Sequence, residues 1–136
     1  MPTQTPYGIT IQLDRPFDQT VEATRAALAA EGFGILVEAD LQATFKKKLD
    51  VDHTPYVLLG ACSPRDAYEA LQHEPDLGLL LPCNVIVRDA GNGKTHVAAL
   101  DASVQLSLTG NTAVAPAAAA IRDRVIRALS ALEKSQ

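Results

Sequence analysis

Cysteine is nearly missing from this chain: its 136 residues contain only Cys62 and Cys83. Disulfides therefore do not build the fold, and a core must, since a chain of this length can bury roughly two thirds of the surface its unfolded form exposes. Excess positive charge is missing too. Twelve Lys and Arg against sixteen Asp and Glu leave a net charge of −4, which excludes a general nucleic-acid binder, because such a protein needs a basic face to displace counterions. A membrane span is also lacking. The most apolar run, "LGLLLPCNVIV", is short and includes Pro82 and Asn84, whereas roughly 20 apolar residues are needed to cross a bilayer. The N-terminus "MPTQTPYGITIQLDR" carries no basic segment followed by an apolar one of leader length, so the cytoplasm is the expected setting. In a reducing compartment two cysteines act as free thiols, metal ligands or redox partners rather than as a permanent bridge. No CxxC, HExxH, GxSxG elbow or Walker loop is present, and Gly91-Asn92-Gly93-Lys94 lacks the phosphate-loop spacing.

What is present is a regular alternation of patterns along one domain, residues 1–136, with its core from about 7 to 132 behind a short flexible N-terminus. "YGITIQLDR" alternates Ile9, Ile11 and Leu13 with polar neighbours, which predicts a half-buried strand. Asp18 is placed to cap a helix running to Glu31, with Gly32 as its left-handed stop. "FGILVEA" is a second strand, and Asp40 opens a short helix, "LQATFKKKL", whose Lys46-Lys47-Lys48 run suits the negative end of the helix dipole. "HTPYVLLGA" is a third strand. Ser63 then caps a helix with Pro64 at its first position and Asp66 in its first turn.

"DLGLLLPCNVIVRD" predicts a strand interrupted at Pro82, beyond which Cys83, Val85 and Val87 face one way and Asn84, Ile86 and Arg88 the other. Asn92-Gly93 predicts a hairpin turn into "KTHVAALDA". Short helical turns follow between Asp101 and Leu108, and a last helix from about Pro116 carries Ile121, Val125, Leu129 and Leu132 on one stripe. Together these elements predict an α+β fold: a mixed, mostly antiparallel β-sheet with helices packed chiefly on one face. The other face, left open and apolar in so small a chain, predicts a homodimer.

The candidate chemistry centres on the cysteines. Cys62 precedes a helix whose first amide groups are unsatisfied, an environment that lowers a thiol's pKa, and Arg65 is near enough in sequence to add to the effect. Cys83 can approach it if the two strands are antiparallel neighbours, but lies far off if the connection is a parallel crossover. Two thiolates with His53 or His73 would make a soft site for zinc or copper, although neither histidine stands at a metal-ligand spacing. His53, His73 and His96 each stand alone in polar contexts and are expected at the surface. Glu38 and Asp40 form a carboxylate pair near Lys46 and Lys48, with Asp40 already explained as a cap.

Taken together, "EGFGILVEADLQATFKKKL", "YVLLGACSPRDAYEALQ" and "DLGLLLPCNVIVRDAGNGKTHVAALD" resemble the domain-of-unknown-function 302 family. The resemblance implies a small α+β domain that dimerises, and no established reaction. It also implies that Cys62 and Cys83 hold the family's motif cysteine positions, while Glu38, Asp40, Lys46 and Lys48 hold its acid–lysine segment. The expected protein is thus a cytoplasmic homodimer, binding neither nucleic acid nor membrane. Its cleft would be lined by Cys62, Ser63, Arg65, Cys83, Asn84, Glu38 and Lys48, and would take a small ligand or a soft metal held by Cys62 and Cys83. The alternatives are a thiol-redox protein, with Cys62 attacking and Cys83 resolving, and a purely structural interaction domain. Neither a cofactor nor a catalytic residue beyond those two cysteines is indicated.

Overall fold

The computed structural model describes residues 1–135. Its strands are β1 (Thr3–Gln4), β2 (Gly8–Leu13), β3 (Gly34–Asp40), β4 (Tyr56–Cys62), β5 (Cys83–Gly91) and β6 (Lys94–Leu100). The helices are α1 (Phe17–Ala30), α2 (Leu41–Leu49), α3 (Pro64–His73), α4 (Ala102–Ser107) and α5 (Ala115–Lys134). The strands form one sheet in the order β1-β2-β6-β5-β4-β3, and every neighbouring pair is antiparallel. The sheet is therefore wholly antiparallel rather than mixed. The β1–β2 and β5–β6 connections turn back directly, α2 and α3 each lead to the adjacent strand, and α1 carries the chain from β2 across to β3 at the opposite edge.

The sheet works because its alternation is clean. Ile9, Ile11 and Leu13 on β2, Val57, Leu59 and Ala61 on β4, and Cys83, Val85 and Val87 on β5 are buried against α1 and α5 in one core. Along α5 the predicted stripe Ile121, Val125, Leu129 and Leu132 is buried in the same core, each residue contributing roughly 1.5–3 kcal/mol on removal from water. Helices α3 and α4 pack beyond α5, and a second cluster of Ala70, Leu77, Leu106, Val114, Ala117 and Ala118 fills the space between them.

Three local expectations are corrected. Helix α1 begins at Phe17 after Pro16, with no side-chain cap, so Asp18 is a first-turn acid rather than the cap. The apolar "DLGLLL" is not strand: Pro75–Leu80 forms a 3₁₀ helix, and β5 begins only at Cys83. Periodicity cannot separate a short apolar run in a strand from one in a helix, and here Pro75 at the helix start settled it. Ser63 occupies the N-cap position of α3, yet its hydroxyl makes no capping bond. It donates instead to Asp66 Oδ2 at 2.7 Å. By contrast, Asp40 accepts from Ala43 N at 3.0 Å as a cap should, and Gly32 turns at φ +87° where a Cβ would be strained.

Candidate functional site

Strands β4 and β5 are antiparallel neighbours, which brings the two cysteines close, but the register sets Ala61 opposite Cys83. Cys62 is therefore one residue out of step, and successive side chains of a strand leave by opposite faces. Cys83 is buried on the helix side, where its thiol donates to Gln105 Oε1 at 3.6 Å. Alternation directs the half-buried Cys62 to the other side, with Gly60 and Leu58. Both thiols are free.

The thiol chemistry runs opposite to expectation. Burial pushes the Cys62 pKa up from its ordinary value rather than down. Burial, and then the proximity of Cys62, push Cys83 up to about 11. Proximity to a helix start does not activate Cys62, whose thiol is governed by its desolvation. Among the described residues, no nearby cation offsets that burial. Arg65 is exposed, while Arg124 of α5 pairs with Asp66 and donates to Ser63 Oγ at 2.9 Å, its guanidinium 5.4 Å from the Phe33 ring centre. Ser63, Asp66 and Arg124 thus tie the start of α3 to α5 as a satisfied structural network.

The remaining predicted site residues are scattered. Glu38 lies on the helix side of β3 and pairs with Arg25 of α1. Lys48 is exposed on α2, and Lys46 pairs with Asp50 at 2.9 Å and Asp52 at 3.4 Å. His53 Nδ1 lies 2.7 Å from Thr54 O, and its ring meets Phe45 and Tyr56 edge-on. Among the described residues, no group of three or more His, Cys, Asp or Glu side chains is gathered to hold a metal ion. Asn84 stands opposite Gly60 on the side of the sheet away from Cys83. One cleft around Cys62, Cys83 and Asn84 does not form, because the sheet itself runs through the middle of it.

What the alternation builds instead is a groove on the sheet face turned away from α1 and α5. It encloses about 520 Å³. Ile86, Ala98 and Leu100 make its floor, and Tyr7 and Tyr56 stand on it at two sides. Asn84, Arg88 and His96 supply its polar groups, with Arg88 and His96 paired across β5 and β6. His96 is half-buried rather than at the surface, and its pKa is lowered first by burial and then by the Arg88 charge, which keeps the imidazole neutral at pH 7. Arg88 is also half-buried, and among the described residues it has no hydrogen-bonding or acidic partner. Arg15, Arg25, Arg122, Arg124 and Arg127 all have one.

Arg88 and His96 were not singled out from the sequence. The signal was present in part, since the alternation placed Arg88 beside Asn84 and Ile86 opposite the cysteine, but the pairing of β5 with β6 that brings His96 alongside is a tertiary fact.

A two-layer arrangement of one antiparallel sheet with α1 and α5 packed on one side, leaving a grooved open face, defines a small single-sheet α+β domain. The chain belongs to the family described as Domain of unknown function DUF302, which matches residues 9–132. Among solved structures, it is similar to the uncharacterized conserved protein DUF302 from Bacillus stearothermophilus, known from a crystal structure. The two are 26% identical over 93% of this chain and 98% of that one, with a TM-score of 0.84. No curated protein matches the chain. Among the described residues no helix is long and apolar enough to cross a membrane.

Proposed function

We propose that this protein is a binding module for a small ligand, seated on the open face of the sheet rather than at the cysteines. The observation that supports this reading is the groove itself: about 520 Å³, within the roughly 300–1,000 Å³ of small-molecule sites, with an apolar floor and polar groups at Arg88, His96 and Asn84. The test is a small-molecule fragment screen read by amide chemical shifts. Ligands should move Asn84, Ile86 and Ala98, and Ala98→Trp, which fills the floor, should abolish those shifts while leaving the fold intact. Ligands that gather on the α4–α5 side and ignore Ala98→Trp would overturn the assignment.

The partner we propose is a second copy of the chain, joined away from the groove. Of the exposed large apolar residues, Leu36 and Val37 lie on β3, Leu49 ends α2 and Val51 follows it, and α2 has no buried residue at all. An isolated helix of this length is marginal in water, so a covering surface would stabilise it. The two sheet edges also differ. Outer strand β1 has two residues and β3 has seven, and a long apolar edge invites antiparallel pairing with its own copy. Light scattering should report a dimer that Leu36→Lys with Val37→Lys converts to a monomer; a wild-type monomer at high concentration would overturn it.

The cysteine-centred functions are weaker. Two thiols with raised pKa values, leaving the sheet by opposite faces, are poorly placed as attacker and resolver. Thiol titration checks this: slow alkylation of both at pH 7, with Cys83 reacting only on unfolding, is expected.

A further inference from the structure

We infer that the groove is an organic-anion site, with Arg88 receiving a carboxylate-class head group and the Ile86–Ala98–Leu100 floor holding an apolar body. This rests on the open-face reading above and names the ligand class for it. Charge comes first. Among the described residues Arg88 is half-buried and without a counter-ion, and no acidic residue lines the groove. A cation partly withdrawn from water with nothing to pair it is costly unless a ligand supplies the missing charge. The planar fork of Arg fits the two oxygens of a carboxylate, while Asn84, on the same strand face but about 13 Å further along, faces the far end of the ligand.

Shape comes second. The floor is aliphatic and Tyr56 and Tyr7 flank it, so the part of the ligand away from the anion should be apolar and flat enough to lie on a sheet. A fully hydrated inorganic anion leaves that floor unused.

His96 then makes the site responsive to pH. The groups that share the groove with it are Arg88 of β5, Tyr56 of β4 and Tyr7 ahead of β2, while the residue opposite it on β2 is the neutral Gln12. None is acidic. In the free protein Arg88 opposes protonation of His96; a bound anion cancels that repulsion, so binding takes up a proton and strengthens as pH falls from 8 toward 5.5.

Benzoate, its neutral counterpart benzamide and inorganic phosphate are the probes, followed by amide chemical shifts and calorimetry on the full chain at pH 5.5 and 8. Benzoate should move Asn84, Ile86 and Ala98 and bind more tightly than benzamide or phosphate. Arg88→Gln should weaken benzoate by about tenfold or more and erase its advantage over benzamide, whereas Arg88→Lys should retain a part of it. His96→Gln should remove the tightening at low pH. If benzoate and benzamide bind the groove equally, the anion inference falls while the small-ligand site stands. If phosphate matches benzoate, the apolar-body requirement falls. If none of the three moves groove residues but other fragments do, the anion class is wrong. If no fragment of any charge reaches the groove, the open-face reading itself is wrong.

Discussion

The two faces of strand β5 are made by alternate residues of one short stretch, yet they carry opposite duties. Cys83, Val85 and Val87 are buried against α1 and α5, in surroundings so dry that a thiol is held neutral to high pH. Asn84, Ile86 and Arg88 form a groove where a charge waits without a partner. The contrast teaches that a small sheet can keep stability and recognition apart at one-residue resolution, provided that helices cover a single face. It also separates two half-buried arginines. Arg124 closes a network with Asp66 and Ser63, whereas Arg88 closes nothing.

The sharpest way to break this comparison is to truncate both faces and measure urea unfolding. Leu59→Ala and Val87→Ala on the helix side should cost about 2–5 kcal/mol, with the smaller valine at the lower end. Ile86→Ala on the open side should cost about 1 kcal/mol, because its neighbours already meet solvent. Equal losses would show that the groove is not open in solution. Next is the pair of arginines: Arg124→Ala should lose about 2 kcal/mol by leaving Asp66 partly buried and unpaired. Arg88→Ala should stay within about 0.5 kcal/mol of wild type or be stabilising. A comparable loss at both would mean that Arg88 has a partner and the anion site lacks its basis.

A further difference between the faces lies in their response to pH. The Cys83 pKa is raised from 9.0 to about 11 in the folded chain, so the folded state holds its proton more tightly than the unfolded one. Stability from this burial is complete below pH 9 and is lost as pH rises through 11, on the order of 2 kcal/mol. Cys83→Ala should flatten that part of the pH–stability curve. His96 is depressed, so its contribution is present above its unfolded value of 6.5 and is lost as pH falls through the folded value. The effect should be small, and His96→Gln should remove it. Gly60→Ala should give an intermediate loss of about 1–3 kcal/mol, since an added Cβ would stand 2.7 Å from Pro82 Cγ. Cys62→Ser should change stability least of all, measured in the same unfolding series.

Much of the architecture was legible because it depends on local repeat. The period of two in Ile9-Ile11-Leu13 and in Cys83-Val85-Val87, the stripe on α5, the Asp40 cap and the Asn92-Gly93 turn are all properties of neighbouring residues, and each element formed where its pattern lay. The site was legible only in fragments. Asn84 is a candidate by sequence and lies in the groove, but only motif position joins Cys62 and Cys83 to it, and a shared motif does not put residues on the same face of a sheet.

By itself, the sequence determined most of the element types, the absence of a membrane-spanning length or a basic face, and the main core residues, because hydrophobic period and turn chemistry act within a few residues. Only the tertiary structure decided that β4 pairs with β5 one residue out of step, sending the two sulfurs to opposite sides. Only it placed His96 beside Arg88 in a groove that, among the described residues, no acid lines. Strand register, and the desolvation that follows from what covers each face, are set by packing between segments distant in sequence, and those quantities fix charge, reactivity and access.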